Sequence, residues 1–447
     1  MKRLLSSVQR YSGLIYKPMA AQLLIAILTI MAFAPTFNNL LMTGWDDQWQ
    51  VTNHFTSGGF TWNALRSIFT EAFETQYSPL NQCLYTLLYT LGGYNPMLFH
   101  AASLLIHIAN CCLVYHLLNT LLNDNTRLSQ RRKAPITFFT TLLFAIHPLQ
   151  VEAVAWVSAS KILLNTLFYL LATQAFIRFL HDRKPQHYAL TLFFFVCSYG
   201  CKEQALIFPV WATGLTLFYG HKPWSPLVLK SLVPFYLISL LFGLIFIYGI
   251  SSAQNAEPLP AYTVTQRLVF FCYSLVEYIT KWYVPCNLLY LYPFPMQPGE
   301  ALPVWLLTYP LILTVAALAF RRIFRYRAVT TGFSFFLIHL LPVLHIIPIG
   351  RSAIVADRYI YLASVGLSFI AIYYLVDYYQ KQTASIRQYI LPVVALIFCA
   401  LGTYTFLRTQ VWHDTESLRR KMKELKTTTK VTSLKKETTS IEAYFIN

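Results

Sequence analysis

Apolar runs of roughly 18 to 22 residues recur along this chain, and no other feature restricts its fold as strongly. A helix of that length crosses the hydrocarbon core of a bilayer. Lipid offers no partner to backbone N–H and C=O groups, so each run must close its hydrogen bonds internally, as helix. Composition agrees: the chain is 56% hydrophobic and 12% charged, where a soluble domain carries about 25% charged residues. The net charge of +17 would suit nucleic acid. The basic residues, however, fall in short loops between apolar runs, as the positive-inside rule asks, and nucleic acid is set aside as a partner. The expected fold is an all-α polytopic membrane protein of about eleven spans, counted from runs that length can span.

Charge places the loops. Lys2, Arg3, Arg10 and Lys17 keep residues 1–19 cytoplasmic, and the first helix runs from about Ala20 to Leu41. No small-residue cleavage site follows it, so it reads as an uncleaved anchor. The next segment, 43–98, has Arg66 as its one basic residue up to Tyr94, which suits the outer face. Inside it Trp62, Leu65, Ile68, Phe69, Ala72 and Phe73 recur at helical spacing behind Thr61, an N-cap residue. That pattern predicts an amphipathic interfacial helix. Tyr77-Ser78-Pro79-Leu80 then opens a further apolar piece, closed at Gly92-Gly93.

Further spans are expected at about Phe99 to Leu121, Ile136 to Ile146, Ile162 to Leu180, Tyr188 to Gly200, Ala205 to Tyr219 and Leu232 to Ile250. Residues 251–302 form a second long outer loop. Its stretch Thr265 to Tyr283 is long enough to cross, but Arg267, Ser274, Glu277 and Lys281 make a polar stripe. If it crossed, Arg321, Arg322, Arg325 and Arg327 would lie outside, so it is laid in the interface. Spans at about Pro303 to Phe320, Gly332 to Ile347, Ile360 to Tyr379 and Ile390 to Leu407 complete the bundle, 20–407. The tail, 408–447, is placed outside, with a short helix over Asp414 to Lys426 and a disordered Thr/Lys-rich segment from Thr427.

The eight cysteines show no metal-binding spacing. Cys111, Cys112, Cys197, Cys201 and Cys399 lie in apolar runs as small hydrophobes, and Cys272 and Cys286 could pair if their loop is extracytoplasmic. The ionisable residues at outer helix ends are a more informative set: Asp46, Asp47, His100, His147, Glu152, Lys202, Glu203, Asp357 and Arg358. Each alone reads as an interfacial charge; together they are acids and bases on one expected face. His100 and His107 share a helical face and read as packing histidines rather than ligands. Trp45, Trp49, Trp156 and Trp282 suit an aromatic belt or a sugar platform.

Trp45-Asp46-Asp47, Tyr77-Ser78-Pro79-Leu80, Asn95-Pro96-x-x-Phe99-His100, His147-Pro148-x-x-x-Glu152, Cys201-Lys202-Glu203-Gln204 and Ala356-Asp357-Arg358-Tyr359 occur in that order. The ordered set, from about Leu24 to Trp412, resembles the membrane portion of the transmembrane and tetratricopeptide-repeat O-mannosyltransferases and their bacterial relatives. These are glycosyltransferases of the GT-C superfamily. The resemblance implies a GT-C-like bundle and an inverting transferase that takes a sugar from a polyprenyl-phosphate donor on the extracytoplasmic face. It maps the family's catalytic acidic pair onto Asp46 and Asp47. No helical repeat of period about 34 follows the last span, so acceptor recognition is expected from a partner protein or from a small or lipid acceptor.

The chemistry fits. A lipid phosphate leaves readily and needs cations, not an acid, to receive its charge. The acceptor hydroxyl needs one base on the opposite side of the sugar. Asp46 is the expected base and Asp47 the orienting neighbour. Arg358, whose fork suits phosphate, and then Lys202 are expected at the donor phosphate. Glu152, His147, Glu203, Asp357, His100 and Tyr77 are supporting or substrate-binding positions, with Glu203 and Asp357 neutralising Lys202 and Arg358. No cofactor is expected; Asp46, Asp47 and His147 are the set a divalent cation would use. The acceptor is a protein Ser or Thr or, as an alternative, a glycolipid or envelope polysaccharide. A lipid-linked sugar transporter and a non-catalytic subunit are the rivals from other classes, and the absence of an internal repeat counts against transport. The expected location is a bacterial inner membrane with the site facing the periplasm or exterior.

Overall fold

The computed structural model describes residues 13–71, 77–124, 128–252, 262–346 and 353–430; among these the regular structure is helical, with one isolated bridge between Tyr292 and Val355. The helices are α1 (Pro18–Phe33), α2 (Asp46–Gln50), α3 (His54–Ser57), α4 (Trp62–Thr70), α5 (Pro79–Gly92) and α6 (Pro96–Asn123). Then come α7 (Gln130–Ile146), α8 (Val151–Ala155), α9 (Ser160–Asp182), α10 (Pro185–Tyr199), α11 (Phe208–Phe218) and α12 (Pro226–Ser252). The series ends with α13 (Val264–Tyr283), α14 (Thr308–Phe320), α15 (Arg327–Leu340), α16 (Ser364–Lys381), α17 (Ala384–Val411) and α18 (Thr415–Lys430).

A helix stands at each place where an apolar run predicts one, but the count of eleven crossings is not reproduced. Five described helical stretches are long and apolar enough to span: Pro18–Asn38, Pro96–Asn123, Val157–Asp182, Val228–Ile245 and Ala384–Val411. A sixth arises if α7 and the stretch Pro148–Ala155, bent by 51°, count as one, and two shorter apolar helices lie at Val304–Phe320 and Arg327–Val343. The bend has a local cause. Pro148 disfavours helical backbone at His147, which is extended, and removes a donor from the ladder.

The outward faces identify the solvent. No residue of α14 is buried, and Leu311, Val315 and Leu318 are all more than half exposed, as is Leu396 of α17. Contiguous apolar surface of that kind is stable against lipid and costly in water. The core lies inward, where α9 packs along α6 and α10. Two glycines bring α15 and α16 together: a methyl at Gly332 would lie 2.7 Å from the Gly366 carbonyl, and one at Gly366 would meet the Gly332 carbonyl.

The first long loop that charge bias would place outside, 43–98, folds as four short helices. Thr61 caps α4, accepting from the Ala64 N–H at 3.2 Å, and Pro79 sits in the first turn of α5. In the second, α13 opens with a capping box between Thr263 and Gln266 and buries Phe270, Leu275, Tyr278 and Trp282 on one side. The amphipathic reading of both stretches thus describes real helices. Helix α18 runs to Lys430. Cys272 and Cys286 are free thiols, and Cys399 points outward. The basic N-terminus through Arg10, Ala72, Phe73, Arg127, Gly350-Arg351-Ser352 and the tail beyond Lys430 lie outside the described residues.

Candidate active site

Asp46 and Asp47 open α2, and the helix sends them in different directions. Asp47 is 1% exposed. Its Oδ2 accepts from the Met42 N–H at 2.9 Å; its Oδ1 accepts from the Ser158 N–H at 2.9 Å and from the Ser158 hydroxyl. Burial pushes this carboxyl up to about 6, against the pull of those donors. Asp47 therefore fastens the first loop to the turn before α9. Asp46 is half-buried, and its Oδ2 accepts from Gln50 Nε2 at 3.2 Å. Of the two, Asp46 is the one whose carboxylate is not enclosed by structural donors.

The cations are held by partners that the sequence pattern does not disclose. Arg358 pairs with the fully buried Glu152, which accepts from its guanidinium and, at 2.9 Å, from its backbone N–H. The guanidinium lies over the Trp156 and Tyr359 rings, at 5.1 and 4.7 Å from their centroids. Glu152 is thus occupied by Arg358 rather than open to a sugar. Asp357 does not neutralise Arg358, as its adjacency suggests; it pairs with Arg408 at 2.6 Å and accepts from the Tyr292 hydroxyl at 2.9 Å. Lys202 does pair with Glu203, at 3.3 Å. Its loop is positioned by Asn165 of α9, whose Nδ2 donates to the Lys202 and Ser198 carbonyls at 3.1 and 2.9 Å.

Lys161, in the first turn of α9, is the residue that the sequence reading passes over. Its Nζ donates to Gln50 Oε1 at 3.1 Å, so Lys161, Gln50 and Asp46 form a chain. The charges of Lys202, Asp46, Glu203 and Arg358 all act on Lys161. The expected base and the expected phosphate cations therefore share one electrostatic neighbourhood. One signal for Lys161 was visible: a lone base at the outer end of a long apolar run, on the face that charge bias leaves acidic.

The remaining candidates are structural in their contacts. His147 stacks on Trp282, 5.6 Å between centroids, contacts the Trp282 carbonyl at 3.0 Å and accepts from the Leu149 N–H. Because that carbonyl only accepts, Nε2 carries the proton. His100 is buried in α6 and enters none of the bonds above. His107 bridges the Tyr361 hydroxyl at 2.7 Å and the Ala145 carbonyl at 3.0 Å, a packing histidine. Tyr77 is exposed and donates to the Phe69 carbonyl at 3.0 Å. Trp45, Trp156 and Trp282 are buried rather than spread along an interfacial belt; Trp49 lines a pocket. Among the described residues, no three His, Cys, Asp or Glu side chains gather to hold a metal ion.

Comparison with known proteins adds the following. No family model matches the chain. Over 152 residues it is 32% identical to protein O-mannosyl-transferase TMTC1 of Homo sapiens, a match covering 32% of this chain and 15% of that protein. With protein O-mannosyl-transferase TMTC3 of Homo sapiens it is 26% identical over 142 residues, covering 30% and 14%. With TMTC4 of Mus musculus it is 26% identical over 210 residues, covering 42% and 28%. The matches thus span less than a third of these relatives' length. All three are animal proteins, so they lend no support to a bacterial inner membrane. Over about a third of its length, the chain is similar to O-mannosyl-transferases that are membrane glycosyltransferases of the GT-C type.

Proposed function

We propose that this protein is an inverting membrane glycosyltransferase that moves a hexose, mannose in the first instance, from a polyprenyl-phosphate donor to a Ser or Thr hydroxyl of a protein. The site faces the extracytoplasmic side. The observation that carries this reading is that one stretch, residues 156–165, meets the base and both cations: Lys161 reaches Asp46 through Gln50, Arg358 lies over Trp156, and Asn165 holds the Lys202 carbonyl. Asp46 takes the acceptor proton as its oxygen bonds the anomeric carbon. The bond from that carbon to the phosphate oxygen breaks, and its electron pair leaves with polyprenyl phosphate. Lys202 and Arg358 receive the charge. Both arrive pre-paired with Glu203 and Glu152, which fixes their positions and limits the cost of holding cations beside lipid. The shorter apolar helices complete the bundle towards eleven crossings, with both long loops outside.

The test is transfer by purified protein in detergent, with labelled polyprenyl-phosphate sugars and a lysate of acceptors. Asp46→Asn should lower turnover by about 10²–10⁴-fold, the usual contribution of a general base, with the protein still folded. If no donor yields transfer while polyprenyl phosphate still binds, the protein is a transporter or a subunit.

A further inference from the structure

A pocket of about 50 Å³ opens beside the acid loop. Its walls come from the short helices of the first outer loop, from α5 and from the first turn of α9; Trp49, Gln50, Ser78, Asn81, Gln82 and Lys161 are the lining residues that matter. None of the cations paired with Glu152 or Glu203 lines it. Behind the wall runs an ordered network. Gln82 donates to the Thr56 hydroxyl at 2.7 Å, and the Ser160 hydroxyl donates to Asn81 Oδ1 at 3.2 Å. Tyr85 donates to the Val157 carbonyl at 2.9 Å.

Gln50 belongs both to this pocket and to the base. An ammonium only donates, so Lys161 compels Gln50 to present its Oε1 to it. That fixes the amide orientation and leaves Nε2 to face Asp46. Lys161 therefore sets the direction in which Asp46 is held, and Gln50 links that carboxylate, which does not itself line the pocket, to a space whose enclosed part is about 50 Å³. That enclosed part takes a hydroxymethyl or hydroxyethyl group, and its amides and hydroxyls suit a hydroxyl, with Lys161 and Glu71 as the charged residues of the lining.

We propose that this pocket is the acceptor subsite, that it takes the side chain of a Ser or Thr in a peptide, and that Lys161 and Gln50 are positioning residues aiming Asp46 at that hydroxyl. The inference rests on the transferase reading above. In the step it describes, the hydroxyl proton passes to Asp46, the oxygen bonds the anomeric carbon, and polyprenyl phosphate leaves with the electron pair.

The experiment measures KM for acceptor and donor separately in full-length protein in detergent. The probes are labelled polyprenyl-phosphate mannose and peptides bearing one serine or one threonine in otherwise identical random contexts. Ser78→Phe, which narrows the pocket, should raise the acceptor KM at least tenfold, more for threonine than for serine. Gln50→Leu and Lys161→Met should lower kcat and raise the acceptor KM. In all three the donor KM should stay within twofold, and Lys161→Arg should recover most of the activity. A rise in donor KM instead would assign Lys161 and the pocket to the donor and overturn the proposal, as would folded variants with wild-type constants. Wild-type transfer to a glycolipid but to no peptide would overturn the peptide subsite while leaving the transferase standing. Failure of the wild type with every donor would sink the transferase reading itself, and this one with it.

Discussion

Asp46 and Asp47 share a sequence motif and a helix turn, yet three donors close around Asp47 while Asp46 meets one amide. Their asparagine variants should therefore fail differently. Asp47→Asn turns an acceptor into a donor against the Met42 or Ser158 N–H, and leaving such a buried group unsatisfied costs about 1–3 kcal/mol. Its melting temperature in detergent should fall, while that of Asp46→Asn should hold and its activity collapse. Titration gives a second expectation at this scale. The Asp47 carboxyl is raised from 3.8 to about 6 in the folded state. The native protein then binds a proton before the unfolded chain does, and stability falls as pH rises from about 4 to 6. The shift corresponds to about 3 kcal/mol across that window. Acidifying from pH 7 towards 4.5 should raise wild-type stability relative to Asp47→Asn, which has no such proton to gain. A flat difference would mean that the three donors outweigh burial.

Among the elements, the crossing of α15 and α16 and the C-terminal end of α17 bear most on the site. At the crossing no space remains for a side chain at Gly366. Gly366→Ala should force the helices apart at about 1–3 kcal/mol, the usual range for overpacking, read as a lower melting temperature. These helices flank the segment carrying Asp357 and Arg358, so activity should drop with it. At the end of α17, Arg408 pairs with Asp357 and also donates to the Leu288 carbonyl at 2.7 Å. Arg408→Met strands a buried carboxylate, a change that typically costs about 3–5 kcal/mol. The double variant Arg408→Met with Asp357→Leu should recover much of that loss.

Across the whole molecule, what was legible in the sequence is what lipid and local geometry enforce. Apolar runs became helices because backbone has no other option there. His147-Pro148 ended one and Thr61 began another, since caps and prolines act on neighbours. Charge bias led to the expectation that Asp46, Lys202 and Arg358 share one face. Pairing was not legible. Glu152 finds Arg358 at 206 residues' separation, and Asp357 prefers Arg408 to its own neighbour, because helix packing decides which ends meet. Lys161 was missed for the same reason: its meaning depends on Gln50, 111 residues earlier. Of the expected crossings, five or six described helical stretches are long and apolar enough to span on their own.

The acid loop is anchored by the far end of the chain. Asn39 donates to the Thr409 carbonyl, the Leu40 N–H to the His413 carbonyl at 2.8 Å, and the Thr415 hydroxyl to the Thr43 carbonyl at 2.7 Å. The first of these contacts joins positions 370 residues apart. At a synthesis rate of about 5–20 residues per second, a ribosome needs on the order of twenty seconds to a minute to close that gap. The loop that carries the carboxylates thus waits that long for its last anchors. A nascent chain that stalls before α17 is made holds Asp47 through Met42 and Ser158 but lacks the contacts that tie down the loop on either side of it.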